Sequence, residues 1–217
     1  MRTFGFPEFL FILEAAKWTL ALSAIAFVGG AILGLIVALM RTSQSTWARG
    51  VSTTFIQVFQ GTPLLLQLFL VFFGAPVLGL DINPWVAAGV ALILNSAAFL
   101  GEIWRGCIEA IPRGQWEAAE ALSLRYTSRM RDVVLPQALK IALAPTVGYV
   151  VQIIKGTSLA AIIGFVEVTR AGQIVNNATF QPLIVFSVVA AIYFVICWPL
   201  SLLAARMERK RARALAR

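Results

Sequence analysis

From Trp18 to Met40 the chain runs for 23 residues without a charged side chain, bounded by Lys17 and Arg41. An apolar run longer than about 18 residues can cross hydrocarbon as a helix and is too apolar to rest in water. The pattern recurs. Gly50 to Phe73 is uncharged but holds Gln57, Gln60, Gln67 and a central Pro63. A third run opens at Pro84-Trp85 and ends near Glu102 or Arg105. A fourth rises after Pro136, through Lys140, to about Leu159 with Lys155 inside it, and a fifth spans Pro182 to Ala205. The expectation is an all-α membrane protein with five transmembrane helices, forming one transmembrane domain over residues 1–217.

Composition closes off other classes. The chain is 59% hydrophobic and only 13% charged, against about 25% charge in soluble domains. It has no His, and its two cysteines, Cys107 and Cys197, stand in no metal-ligand or disulfide spacing. A net charge of +8 raises nucleic acid as a partner. The basic residues instead flank apolar runs, and no aromatic-interleaved basic face is present, so membrane lipid is the expected contact and nucleic acid is not. Glu8, Glu14, a long apolar run and no small-residue cleavage pattern make the N-terminus a retained span rather than a removed signal.

Five crossings put the termini on opposite sides, and positive charge decides which is which. The Arg41–Arg49 loop carries two Lys or Arg, the stretch from Arg105 to Lys140 six, and the tail from Arg206 six. Arg2, Lys17, Lys155 and Arg170 make four on the other side. Fourteen against four predicts a cytoplasmic tail (about 206–217), a cytoplasmic central loop (about 106–136) and an N-terminus outside. No internal repeat of the two-halves kind is visible.

Within that central loop Pro112, Arg113 and Gly114 interrupt the third span, and Gln115 to Leu122 reads as a short helix with Glu117 in its first turn. Ala118, Ala121 and Leu122 form a small apolar face. Tyr126, Met130, Val133 and Val134 continue at helical spacing, with Arg125, Arg129 and Arg131 outside them, before Pro136 resets the backbone. Periodicity alone leaves two readings open: an interfacial helix on the headgroups, or a docking element for a soluble partner.

The ordered residues favour docking. Glu117-Ala118-Ala119, a gap of three, Ser123, a gap of nine and then Val133-Val134-Leu135-Pro136 resembles the Glu-Ala-Ala loop of permease subunits from bacterial ATP-binding-cassette importers. Gly61-Thr62-Pro63-Leu64-Leu65 with Gln67, Asn95-Ser96-Ala97-Ala98-Phe99-Leu100 with Glu102-Ile103, Ile111-Pro112-Arg113-Gly114-Gln115, Thr157-Ser158-Leu159 and Thr169-Arg170-Ala171-Gly172-Gln173 resemble its polar amino acid branch. The likeness runs from about Trp18 to the tail. It implies a type I importer-like transmembrane domain in the bacterial cytoplasmic (inner) membrane. It also implies two copies of a cytoplasmic ATPase that hold ATP and Mg, a second permease subunit (self or sister) and an extracytoplasmic amino acid-binding protein. The coupling residues it implies are Glu117, Ala118, Ala119, Leu122, Ser123, Leu135 and Pro136. Three positions depart from the usual pattern: Ser123 where Gly is common, Gln60 where Arg precedes Gly-Thr-Pro, and Gly156 where Asp precedes Thr-Ser.

Three spans carry polar stripes that lipid cannot satisfy: Gln57, Gln60 and Gln67; Asn95, Phe99 and Glu102; Gln152 and Lys155. Amide glue between helices, at about 0.6 kcal/mol each, explains Gln57, and snorkelling to the headgroups is open to Glu102 and Lys155. Lys155 stands 15 residues beyond Lys140, roughly 22 Å up a helix. A transported amino acid needs donors for its carboxylate, which Lys155, Thr157, Ser158, Gln60, Gln67 and Gln152 offer. Its ammonium needs acceptors, which Glu102 or Asn95 offers, and Ser96 is a further candidate contact. The missing acid at Gly156 favours a neutral or acidic amino acid. Lys155-Gly156-Thr157 lacks the spacing of a phosphate loop, so no cofactor is expected in this chain and ATP hydrolysis falls to a partner. An intramembrane enzyme would need a nucleophile with a base, and an ATP-independent carrier or channel would leave the docking loop without a purpose.

Overall fold

The computed structural model describes residues 3–215, and side chains to Lys210. Arg2 and the last tail residues, on which part of the charge count rests, lie outside the described residues. Helix α1 runs Phe6–Arg41, followed by α2 (Thr46–Gly61), α3 (Leu64–Val77) and α4 (Pro84–Glu109). Next come α5 (Arg113–Ala121), one turn α6 (Tyr126–Ser128) and a π-helical stretch Arg129–Val134 that leads into α7 (Leu135–Gly156). A 3-10 segment Thr157–Ile163, α8 (Val168–Thr179) and α9 (Pro182–Leu215) complete the chain. Starts follow local chemistry. Asn83 accepts from the Val86 amide at 2.9 Å to open α4, with Pro84 in the first position, where its missing N–H costs nothing.

Four helices are long and apolar enough to cross a membrane alone, and α2 with α3 forms a pair bent by 101°. The second apolar run, Gly50 to Phe73, forms two helices broken at Thr62-Pro63, beside the central proline. Proline cannot donate to the preceding turn and disfavours helical backbone before it. The fifth helix also outruns its expected end at Ala205, continuing through the basic residues to Leu215.

Packing fixes the number of crossings. A Cβ on Gly29 would meet Ile93, one on Gly30 would lie 2.5 Å from Ser96 Cβ, and one on Gly34 3.1 Å from Leu100 Cβ. Contacts that advance together mean that α1 and α4 run parallel, so the bent pair must carry the chain back across between them. Helix α7 is antiparallel to α4: Phe99 stacks on Tyr149 at 5.4 Å and Trp104 Nε1 donates to Thr146 at 2.9 Å. Helix α9 packs against α7 through Cys197, beside Val151 and Ile154. The α1–α4 seam is built from small residues four apart, Gly30 and Gly34 facing Ala97 and Gly101, the arrangement that lets helices approach closely in lipid.

The segment beyond α4 folds outside the bundle. Ile108, Ile111, Met130, Val134 and Ala138 form a small core beneath α5, and the Tyr126 hydroxyl donates to the Thr42 carbonyl at 2.8 Å, pinning the segment to the end of α1. Helix α5 begins at Arg113, so Glu117 is its fifth residue and lies beyond the first turn, contrary to expectation. Leu124 N donates to Ala119 O at 3.2 Å and Ser123 N to Glu120 O at 2.8 Å, a glycine-type helix stop that places Ser123 in the left-handed region at φ 56.

Two outcomes follow for stability. Gly30→Leu drives a side chain into Ser96 and lowers stability by about 1–3 kcal/mol, read as a lower unfolding midpoint in detergent. Ser123→Gly removes the left-handed penalty and stabilises the loop by about 1 kcal/mol, read as slower amide hydrogen exchange over residues 113–124.

Candidate functional site

The polar residues of the spans sort into three groups. A cavity of about 400 Å³ between α3, α4 and α7 is lined by Asn95, Ser96, Tyr149 and Gln152, with Leu64, Leu92, Phe99, Ile153 and Gly156 around them. No lining residue is charged. Gly156 sits at the cavity edge, where a Cβ would lie 3.2 Å from Leu64 Cδ2 and 3.7 Å from Leu92 Cδ2. A larger cavity of about 470 Å³ beside α1, α4 and α7 is apolar except for Arg131 at its edge, with Trp104 and Leu139 among its walls. It offers a zwitterion almost nothing, so the smaller cavity is the candidate.

Of the residues expected to touch a ligand, Asn95, Ser96 and Gln152 line this cavity. Gln60, Gln67, Glu102, Lys155, Thr157 and Ser158 do not. All but Lys155 are engaged by other groups. Gln60 Nε2 donates to the Ala98 carbonyl at 3.3 Å, tying α2 to α4. Thr157 is fully buried and donates to Ile154 O at 2.7 Å, while Ser158 donates to Lys155 O at 2.7 Å. Lys155 itself is exposed. Glu102 is engaged by Arg105, with Nε to Oε2 at 2.9 Å and Nη2 to Oε1 at 2.5 Å, and Arg105 also pairs with Glu109. The fork of Arg105 occupies both oxygens of Glu102 and commits the carboxylate to that ion pair, outside the cavity lining.

Gln67 is 5% exposed and braces the helix break. Its Nε2, with two N–H groups to share, faces three acceptors, Phe59 O at 2.8 Å, Thr62 Oγ1 at 2.9 Å and Thr62 O at 3.1 Å, and its Oε1 accepts from Asn95 Nδ2 at 3.1 Å. Carbonyls at the end of α2 have no intrahelical partner, and in an apolar phase side chains must supply one.

Two residues escaped the sequence reading. Tyr149 lines the cavity and its hydroxyl lies 3.5 Å from Asn95 Oδ1. The spacing Tyr149, Gln152, Ile153, Gly156 is one helical face and would have revealed it. Glu167, fully buried, is the other. It accepts from the Tyr193 hydroxyl at 2.6 Å and the Arg170 amide at 2.9 Å, and Thr19 reaches it at 3.4 Å, fastening α1, α8 and α9 together. A lone acid in an otherwise uncharged stretch ahead of α8 was its signal.

On α5, Glu117, Ala118 and Leu122 are exposed, Leu122 by 75%, while Ala119 turns inward at 3% exposure. Leu135 and Pro136 stand at the joint where the π-helical stretch becomes α7. The exposed side of α5 is a short, rigidly backed apolar and acidic surface at one end of the bundle.

With this geometry in place, comparison with known proteins gives a consistent result. Residues 30–213 match the family described as binding-protein-dependent transport system inner membrane component. The chain is 37% identical over 206 residues to the glutamine transport system permease protein GlnP of Escherichia coli K12, covering 94% of each. It is 33% identical over 205 residues to the probable amino-acid ABC transporter permease protein YckA of Bacillus subtilis, covering 94% of this chain and 91% of the relative. Among solved structures, an amino acid ABC transporter crystallised with histidines superimposes with a TM-score of 0.88 at 33% identity, covering 96% of this chain and all of the other. The inward-facing MetNI methionine transporter gives 0.79 at 18% identity, which speaks for the fold alone. The chain belongs to the family of binding-protein-dependent transport system inner membrane components, as the permease subunit of an ATP-binding-cassette importer.

Proposed function

We propose that this permease carries a neutral, polar L-amino acid inward through a path lined by Asn95, Ser96, Tyr149 and Gln152. The observation that carries the reading is the cavity wall, apolar apart from four uncharged polar side chains. Hydroxyl and amide groups can hold a zwitterion and a neutral polar side chain. A cationic side chain finds no carboxylate there, because Glu102 is bound by Arg105 and position 156 is Gly. The relatives' names, glutamine for GlnP and L-cystine for TcyB of Bacillus subtilis, support the same class.

The tail, the α5 segment and the loop after α1 face the cytoplasm and the N-terminus faces outward, in keeping with the fourteen-to-four division of Lys and Arg. The chain acts as one transmembrane domain, with a coupling loop at about 106–136 and a basic tail at about 206–217. In the assembly two permease subunits, copies or sisters, enclose the path. A binding protein delivers the substrate from outside. Two ATPases, which hold ATP and Mg, seat the exposed face of α5 at Glu117, Ala118 and Leu122. Ser123 ends that helix, Ala119 anchors it, and Leu135 and Pro136 pass its motion to α7.

The complex purified in mild detergent from its native membrane should contain an ATPase. Glu117→Arg should reduce its recovery about tenfold through charge reversal at the contact, with the permease still folded by circular dichroism. ATPase recovery equal to wild type would refute this docking face. Gly156→Asp places a carboxylate at the cavity edge at the cost of moving only the tip of Leu64. It should shift competition in uptake assays toward L-arginine over L-glutamine by about tenfold. An unchanged ratio would remove the cavity from the path.

A further inference from the structure

The orientation of the Asn95 amide follows from groups that have no choice. Thr62 Oγ1 gives its proton to Val58 O at 2.7 Å, so toward Gln67 it is only an acceptor. Phe59 O and Thr62 O are carbonyls and accept only. The end of Gln67 that faces all three must therefore be its NH₂, which leaves Oε1 toward Asn95. Asn95 must answer an oxygen with Nδ2, which also faces Phe59 O at 3.4 Å. Its Oδ1 is then turned to the Tyr149 hydroxyl and the cavity.

We infer that Gln67, outside the cavity lining, is a positioning residue for transport. It holds Asn95 with Oδ1 outward, and that oxygen accepts a hydrogen bond from the ammonium group of the transported amino acid. The inference rests on the cavity being the substrate path. No carboxylate lines the cavity, so the ammonium must be met by neutral oxygen and by ring faces. Asn95 Oδ1 is the acceptor whose direction is set from behind. The stacked rings of Phe99 and Tyr149, centroids 5.4 Å apart, add their electron-rich faces beside it. An Asn free to turn would present its own NH₂ to a cation half of the time and repel it.

The test measures displacement of labelled L-glutamine from the purified permease–ATPase complex by unlabelled L-glutamine and by N-acetyl-L-glutamine, which lacks the ammonium. Wild type should prefer the free ammonium, and Gln67→Met should cut that preference about tenfold, the scale of one hydrogen bond to a charged group. Gln67→Glu should keep it. Ringed by carbonyl oxygens, its carboxyl is protonated, donates to one of them and still accepts from Asn95. A purely structural brace would weaken both competitors equally and leave their ratio unchanged in Gln67→Met, and that result overturns the proposal. If Gln67→Met yields no complex, Asn95→Ala leaves the grip of Gln67 on the break in place, and a retained preference there overturns it too. Failure of the substrate-path reading is visible separately: the wild-type complex itself binds no L-glutamine, or Gly156→Asp leaves selectivity unmoved.

Discussion

A helix broken inside hydrocarbon exposes backbone carbonyls where no water can reach them, and the interior of this permease is organised around satisfying that need. The break at Thr62-Pro63 turns the second crossing by 101°. Thr62 takes the Val58 carbonyl, and Gln67 takes those of Phe59 and Thr62. Each unsatisfied group would cost several kcal/mol in such a phase. The side chains that repair the break are thereby locked, and the lock extends through Asn95 to the wall of the cavity. A local defect in one helix thus becomes the source of a preset polar surface.

Around this centre the other contacts serve rigidity. The glycine seam between α1 and α4 allows close backbone approach in place of large side chains. That suits a solvent where dispersion and packing, rather than water exclusion, hold helices together. At the far end, buried Glu167 gathers α1, α8 and α9 by accepting from Tyr193, Thr19 and the Arg170 amide. Outside the bundle α5 stands on its own small core, tied to α1 through Tyr126 and running through the π-helical stretch into α7. Helix α7 carries Tyr149, Gln152 and Gly156 at the cavity. Movement of α5 therefore has a continuous path to the cavity wall.

The sequence was legible where one residue's surroundings can be inferred from its own run. Long uncharged stretches and the short loop helix belong to this kind. Polar spacing alone does not reveal the local hydrogen bonds made by Gln67, Thr157 and Ser158. Each of the three meets a backbone group on its own helix or at the break. Glu102 looked free because its partner, three residues on, was counted as loop charge rather than as a fork already closed on it. Tyr149 passed as an apolar aromatic, since its hydroxyl acquires meaning only opposite Asn95.

By itself the sequence determined that the chain crosses the membrane, that a short loop helix follows its third apolar run, and which family it joins. Those properties depend on hydropathy and on contiguous motifs, both of which are local. Only the tertiary structure decided which polar groups face the cavity, which are consumed in holding the helices, and which way the Asn95 amide points. Those outcomes depend on the spacing of α3, α4 and α7 around the break at Thr62-Pro63. No pattern along one strand of chain records the space between two helices, because that space is a property of both at once.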